Sequence, residues 1–250
     1  AIIIATPPTT HAEMLEAYLE AGKPCIVEKP LSVDVAAAER LDARTQAAGI
    51  PVLVDHTQLF SSHYRALKRA VAASGEPIRT ILTEGMALGP FREETPALWD
   101  WGPHDVSLCL DVMGCMPDDV QALAGPRAPH GDAELASIRL TFPSGACAWV
   151  QVGSLSPQKR RRLTVLTDRA VYVWDDLAEP RLAVAQADLA RRYADRHDPT
   201  LQWTPIPVDS ETLPLTNMLG YFMDGLEGGD RSYFGCRLAL DVARILSQCR

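Results

Sequence analysis

The first 57 residues constrain the fold more than any other feature of the chain. Three short apolar runs, Ile2–Ala5, Cys25–Val27 and Pro51–Val54, are separated by two segments with helical patterning, Thr9–Ala21 and Val33–Ala48. Gly22 and Gly49 stop those segments, and Thr9 or Thr10 is a suitable N-cap for the first. Short continuous apolar runs bounded by turn residues read as strands buried on both faces. The order β-α-β-α-β at crossover spacing therefore predicts a right-handed parallel sheet.

From about Gln58 the pattern changes. Tyr64–Ala73 reads as a helix with Lys68 on its exposed face, and Ile78–Met86 alternates as a half-buried strand does. Pro103–Met113 predicts a helix stopped by Gly114, with Pro103 in its first turn, where a missing donor costs nothing. Four strand-like segments follow, Ser137–Phe142, Ala146–Val152, Arg162–Leu166 and Ala170–Trp174. Pro143-Ser144-Gly145 and Thr167-Asp168-Arg169 read as the hairpin turns between them. Met218–Leu226 and Arg237–Gln248 read as closing helices. The expected fold class is α/β: part of a doubly wound parallel sheet in residues 1–57, then an α+β domain with a large, mostly antiparallel sheet in residues 58–250.

Composition narrows the function classes. The 250 residues carry 24 Lys and Arg against 32 Asp and Glu, a formal net charge of -8. That balance argues against nucleic acid or an acidic membrane surface as a partner. No apolar run approaches the ~18 residues that span a bilayer. The six cysteines form no CxxC and sit in apolar segments, so reduced thiols and a cytoplasmic location are expected.

Ligands of open parallel sheets bind at the carboxyl ends of the strands. Thr6-Pro7 and Glu28-Lys29 each fall at such an end, one strand apart. An ammonium at Lys29 can hydrogen-bond a substrate hydroxyl and exchange its proton; a solvated surface lysine is the plainer alternative. Asp100 and His104 stand four residues apart. With Pro103 taken as the helix start, they need not share a helical face. A histidine beside a carboxylate is suited to proton transfer, although a hydrogen-bonded structural histidine has the same local sequence. His11 reads equally as a helix first-turn residue or a cofactor contact. His56, His63 and His104 with Asp55 and Asp105 lack metal-ligand spacing, so no metal is expected. Lys159–Arg162 reads as a solvated approach to a strand that could also contact phosphate. Trp99 and Trp101 suit either a core or the wall of a sugar pocket.

The segment "AIIIATPPTTHAEMLEAYLEAGKPCIVEKPLS" resembles the second half of the dinucleotide-binding domain in the glucose–fructose oxidoreductase / inositol dehydrogenase (Gfo/Idh/MocA) family. Ala5-Thr6-Pro7, His11 and Glu28-Lys29-Pro30-Leu31 carry that likeness. Asp100, Gly102 and His104 match the family's Asp-x-Gly-x-His element, and "PLTNMLGYFMDGLEGGDRSYFGCRLALDVARIL" resembles its closing helices. The resemblance implies an NAD- or NADP-dependent oxidoreductase moving hydride to or from a carbon of a sugar, polyol or diol. It implies Lys29, His104 and Asp100 as catalytic residues, and Thr6, Pro7, His11, Glu28 and Lys29 as cofactor contacts. It also implies a homodimer or homotetramer formed through the C-terminal sheet. The glycine-rich GxGxxG turn occurs nowhere in these 250 residues. The chain aligns from the family's fourth strand, so it reads as a truncation expected to bind dinucleotide weakly by itself. Two alternatives stay open: a non-catalytic oligomerisation or binding module, and an NAD-dependent glycosidase.

Overall fold

The computed structural model describes residues 1–91, 95–127, 133–189 and 201–249. The opening segment forms β1 (Ile2–Ile4), α1 (Pro8–Glu20), β2 (Cys25–Glu28), α2 (Val35–Ala48) and β3 (Val52–Asp55), and the three strands pair in parallel in that order. α2 starts as its sequence suggests, with Asp34 Oδ1 accepting from the Ala36 amide at 3.0 Å, and Gly49 ends it at φ 63°. α1 differs from expectation. Pro7 is its N-cap and Pro8 opens the helix, so Thr9 and Thr10 already lie inside the first turn. The proline ring fixes φ at the helical value where no amide donor is required, so no hydroxyl cap is needed.

A 3-10 turn, Thr57–Phe60, leads into α3 (Ser62–Ser74), which Ser61 caps. Then come β4 (Ile78–Leu88), α4 (Ala97–Met113), β5 (Asp119–Ala124), β6 (Leu135–Thr141), β7 (Cys147–Gly153), β8 (Leu155–Thr167), β9 (Ala170–Asp175), β10 (Leu182–Gln186) and β11 (Trp203–Pro205). Two helices close the chain, α5 (Pro214–Leu226) and α6 (Arg237–Ser247). The eight strands form one sheet in the order β11-β10-β9-β8-β4-β7-β6-β5. Among the described residues β4–β7 is its one parallel pair. The expected α/β class with a large, mostly antiparallel second sheet is therefore observed. No helix of the described residues is long and apolar enough to cross a membrane.

Strand alternation decides which sheet face is covered. Ala136, Ile138 and Leu140 of β6 and Ala148, Val150 and Val152 of β7 are buried, and α4 packs against β7 and β4. The opposite face leaves Leu82 and Trp149 exposed as direct register partners on β4 and β7. α6 packs on both α2 and α4, and one apolar cluster runs from Ile4 to Leu246 through both sheets. The α2–α6–α4 stack sets the amino-terminal half of α4 against the strand ends of the first sheet.

α4 begins earlier than the sequence suggests. It starts at Ala97 after Pro96, and Pro103 lies inside it. An interior proline removes one helical hydrogen bond and costs about 3 kcal/mol in isolation. Here both faces of the helix are packed, and the burial of Trp99, Val106, Leu108 and Cys109 offsets that loss. The consequence for function is direct: Asp100 and His104 share one helix, a single turn apart.

Candidate active site

Three elements converge on Lys29. β2 delivers it at its carboxyl end, β3 delivers Asp55 and His56 from the neighbouring strand, and α4 delivers Asp100 and His104 from across the molecule. The Lys29 Nζ donates to the Asp100 carboxylate at 2.9 Å and to the Asp100 backbone carbonyl at 2.7 Å. Both side chains are mostly enclosed, at 13% and 17% exposure. An enclosed ammonium held on two oxygens is fixed in direction, unlike a solvated lysine. Lys29, Asp100 and His104 thus come together as the sequence motifs suggest.

His104 is half-buried, and its Nδ1 is sealed without a hydrogen-bond partner. Burial pushes its pKa well below the ordinary histidine value, and the charges of Lys29 and Arg161 push it further down. The neutral form of the ring is therefore favoured. His56 lies behind it. Burial and then Lys29 depress its pKa to about 4. Neither of its ring nitrogens closes a hydrogen bond, although the Pro103 backbone carbonyl is near enough to oppose the shift.

A second acidic pair lines the strand ends. Glu28 and Asp55 are register partners on β2 and β3, close enough for each carboxyl group to act on the other. Burial raises both pKa values, Glu28 also through the Asp55 charge, while the Lys29 charge pulls both back. The Thr57 hydroxyl donates to Asp55 Oδ1 at 2.5 Å, and the Lys29 amide to Glu28 Oε2 at 3.2 Å.

The remaining candidates fall into place around this centre. Thr6 and Pro7 are exposed at the carboxyl end of β1, one strand from Lys29, with the Thr6 and Thr10 hydroxyls 2.7 Å apart. His11 is fully buried. Its Nδ1 and Nε2 contact the backbone carbonyls of Pro30 and Thr6 at 2.9 and 2.7 Å. It clamps the two strand ends to α1 and presents neither ring nitrogen to a ligand. Gly102 has a packing reason, since a Cβ there would approach Leu246 Cδ2 of α6 at 2.8 Å. Trp99 is core. Trp101 is half-buried, and its indole Nε1 donates to Ser154 Oγ at 3.3 Å.

Two readings need correction. Lys159–Arg162 does not lead up to a strand but lies within β8. Lys159, Arg160 and Arg162 are exposed while Arg161 turns inward. Lys68 is not a free surface lysine. Its Nζ sits 2.8 Å from Asp111, which also accepts from the hydroxyls of Tyr64 and Tyr233. Sequence reasoning gave Asp55, His56, Asp105 and Arg161 no role at this centre. The rule that ligands gather at strand carboxyl ends points equally to Asp55-His56 at the end of β3.

The depressed His56 value sets a pH dependence. A group whose folded pKa is about 4 against an ordinary 6.5 binds fewer protons when folded. Its stabilising contribution is complete above pH ~6.5 and is lost as pH falls toward ~4, by about 3 kcal/mol in all. His104 acts in the same direction. Asp105, raised to about 6 by burial, acts in the opposite one. His56→Leu should therefore lose little stability at pH 7.5 and gain on the parent at pH 5. Urea midpoints at the two pH values read this directly, and an unchanged difference between the proteins would refute it.

Residues 1–56 match the model of an oxidoreductase family with an NAD-binding Rossmann fold, and residues 91–173 match the GFO/IDH/MocA C-terminal domain. A UDP-N-acetylglucosamine 3-dehydrogenase from Acidithiobacillus ferrooxidans is 27% identical over 168 residues, covering 66% of this chain and 52% of that protein. A D-apiose dehydrogenase from Paraburkholderia graminis is 26% identical over 242 residues, covering 90% of this chain and 63% of that protein. The chain thus spans about half to under two thirds of these relatives. A crystal structure from Magnetospirillum magnetotacticum MS-1 superposes with a TM-score of 0.88 at 36% identity, covering 100% of this chain and 80% of that one. The chain belongs to the Gfo/Idh/MocA family of oxidoreductases.

Proposed function

We propose that this chain forms the substrate side and the nicotinamide side of an NAD(P)-dependent oxidoreductase acting on a carbinol or carbonyl carbon of a sugar, polyol or related diol. The observation that carries the reading is the Lys29 ammonium, held on two oxygens of Asp100 beside a neutral His104. When bound, a nicotinamide ring gives or takes the hydride; the protein supplies position and proton transfer. The exposed Thr6 and Pro7, one strand from Lys29, fit the nicotinamide end of such a cofactor, with Glu28 at the next strand end. Lys29 hydrogen-bonds the substrate oxygen and exchanges its proton. Asp100 aims the ammonium, and His104 assists as an uncharged ring beside it, its protonated form disfavoured by burial and two cations. Glu28 and Asp55 stand side by side at the strand ends, where burial favours their protonated forms and the Lys29 charge opposes that shift.

The division into residues 1–57 and 58–250 belongs to the same reading and is supported by the change from a parallel to a mixed sheet. Homo-oligomerisation through the uncovered face of the larger sheet is supported by Leu82 and Trp149, adjacent and exposed there. The free cysteines suit a reducing, cytoplasmic setting.

The test is turnover. A polypeptide joining this chain to a glycine-rich dinucleotide loop is assayed with sugars and polyols and both cofactors, following absorbance of the reduced nicotinamide. Reduction with at least one cofactor is expected. Tight dinucleotide binding with no reduction across the panel would contradict the reading.

A further inference from the structure

Arg161 is the inward-turned member of an otherwise exposed basic run. It lies directly opposite Gly85 in the β4–β8 ladder, so both positions face the same side of the sheet. A Cβ at Gly85 would collide with Asp105 Oδ2, so the missing side chain is what admits Asp105 of α4 beside Arg161. The two meet loosely. Nη1 of Arg161 and Oδ2 of Asp105 are 4.0 Å apart, and both atoms are sealed from solvent without a hydrogen-bond partner. The guanidinium also lies over the indole of Trp101, 5.2 Å from the ring centroid. Trp101 follows Asp100 directly in α4, and the Arg161 charge reaches His104. Among the described residues the Arg161 guanidinium closes no hydrogen bond. Its neighbour Arg160 is engaged by Glu84 at 2.8 Å.

A planar cation with five donors is thus fixed by an aromatic face and a distant carboxyl, beside the proposed proton-transfer group, with its hydrogen bonding unfilled. We propose that Arg161 is a specificity-determining residue that grips an anionic oxygen group, a carboxylate or a phosphate, carried by the substrate. This rests on the reading of Lys29, Asp100 and His104 as the reacting centre. A guanidinium fork matches either group with two parallel bonds, and stacking on an indole holds the plane in advance. A neutral hydroxyl would fill one donor and leave the charge balanced only by a carboxyl 4.0 Å away. Lys29 does not serve this purpose, because Asp100 already neutralises it.

The experiment is a titration of the chain itself, read on the Trp101 indole N–H signal in nitrogen-labelled protein, assigned with Trp101→Phe. The probes are D-glucuronate, D-glucose 6-phosphate and D-glucose, so that carboxylate, phosphate and neutral forms of one ring are compared. At least one anion should bind about tenfold or more tighter than glucose, and which anion does so identifies the group. Arg161→Gln should bring that anion down to the glucose level, Arg161→Lys should restore part of the preference, and Lys23→Ala should leave it intact. Equal responses to all three probes, no response to any, or a preference that survives both Arg161 substitutions would overturn the proposal. Retained turnover in Lys29→Ala would instead count against the reacting centre, so the two failures are separable.

Discussion

Lys29→Ala should lower kcat by about 10²–10⁴-fold, the usual share of general acid–base catalysis, equivalent to roughly 3–5 kcal/mol. The assay uses a polypeptide that joins this chain to a glycine-rich dinucleotide loop. Cofactor affinity should change far less, because the loss is in proton transfer. Lys29→Arg should not rescue, since a guanidinium stays protonated and cannot act as a base. His104→Ala should lower kcat by a smaller factor if Lys29 is the principal group. Lys23 is the appropriate control, being exposed and without a side-chain bond among the described residues. Lys68 is not, because it is tied to Asp111. Full turnover by Lys29→Ala would remove the assignment.

The largest loss of stability should come from Asp111, near the carboxyl end of α4. Its carboxylate accepts from Tyr64, fully buried, and from Tyr233 at 3.0 and 3.2 Å, and it pairs with Lys68 at 2.8 Å. Burial and the adjacent carboxylate keep the proton on Tyr64 and push Tyr233 above the ordinary tyrosine range. Asp111→Ala leaves a buried phenol without an acceptor and a cation without its partner. Breaking such a network costs about 3–5 kcal/mol. Asp111→Asn retains one acceptor and should cost less, and Lys68→Ala least, its side chain being 39% exposed. Urea unfolding should rank the three in that order. A cost below about 1 kcal/mol for Asp111→Ala would show that the network adds little.

Much of this fold could be read in advance, and the reason is local. β2 and β3 announce themselves because strands buried on both faces need no alternation, only a short apolar run between turn residues; β1 is the same kind of run, but the structure leaves its Ile3 62% exposed. α2 and its Gly49 stop follow from side chains within one turn. The errors arose where distant contacts decide. α4 begins at Ala97 because α6 and the large sheet pack both of its faces, which outweighs the interior Pro103; nothing near Pro103 in sequence records that packing. The strands Asp119–Ala124 and Trp203–Pro205 escaped because they are the two edges of the sheet, short and largely exposed, and the inner strand Leu182–Gln186 because it is only five residues long. The reacting centre shows the same split. Lys29, Asp100 and His104 sit in compact motifs. Arg161 looks like any solvated arginine until the glycine opposite it and Asp105 are seen together.

Lys29 moves a proton and does not merely hold a shape. The direct measurement is chemical rescue of the Lys29→Ala enzyme by small primary amines of graded basicity, at fixed pH and saturating substrate. Rates should recover in proportion to added amine. After correction for size, their logarithms should rise with amine pKa along a straight line of positive slope. Tetramethylammonium, a cation with no proton to exchange, should restore nothing. Rescue by tetramethylammonium equal to that by the amines, or rates independent of amine basicity, would contradict the claim and reduce Lys29 to a fixed charge.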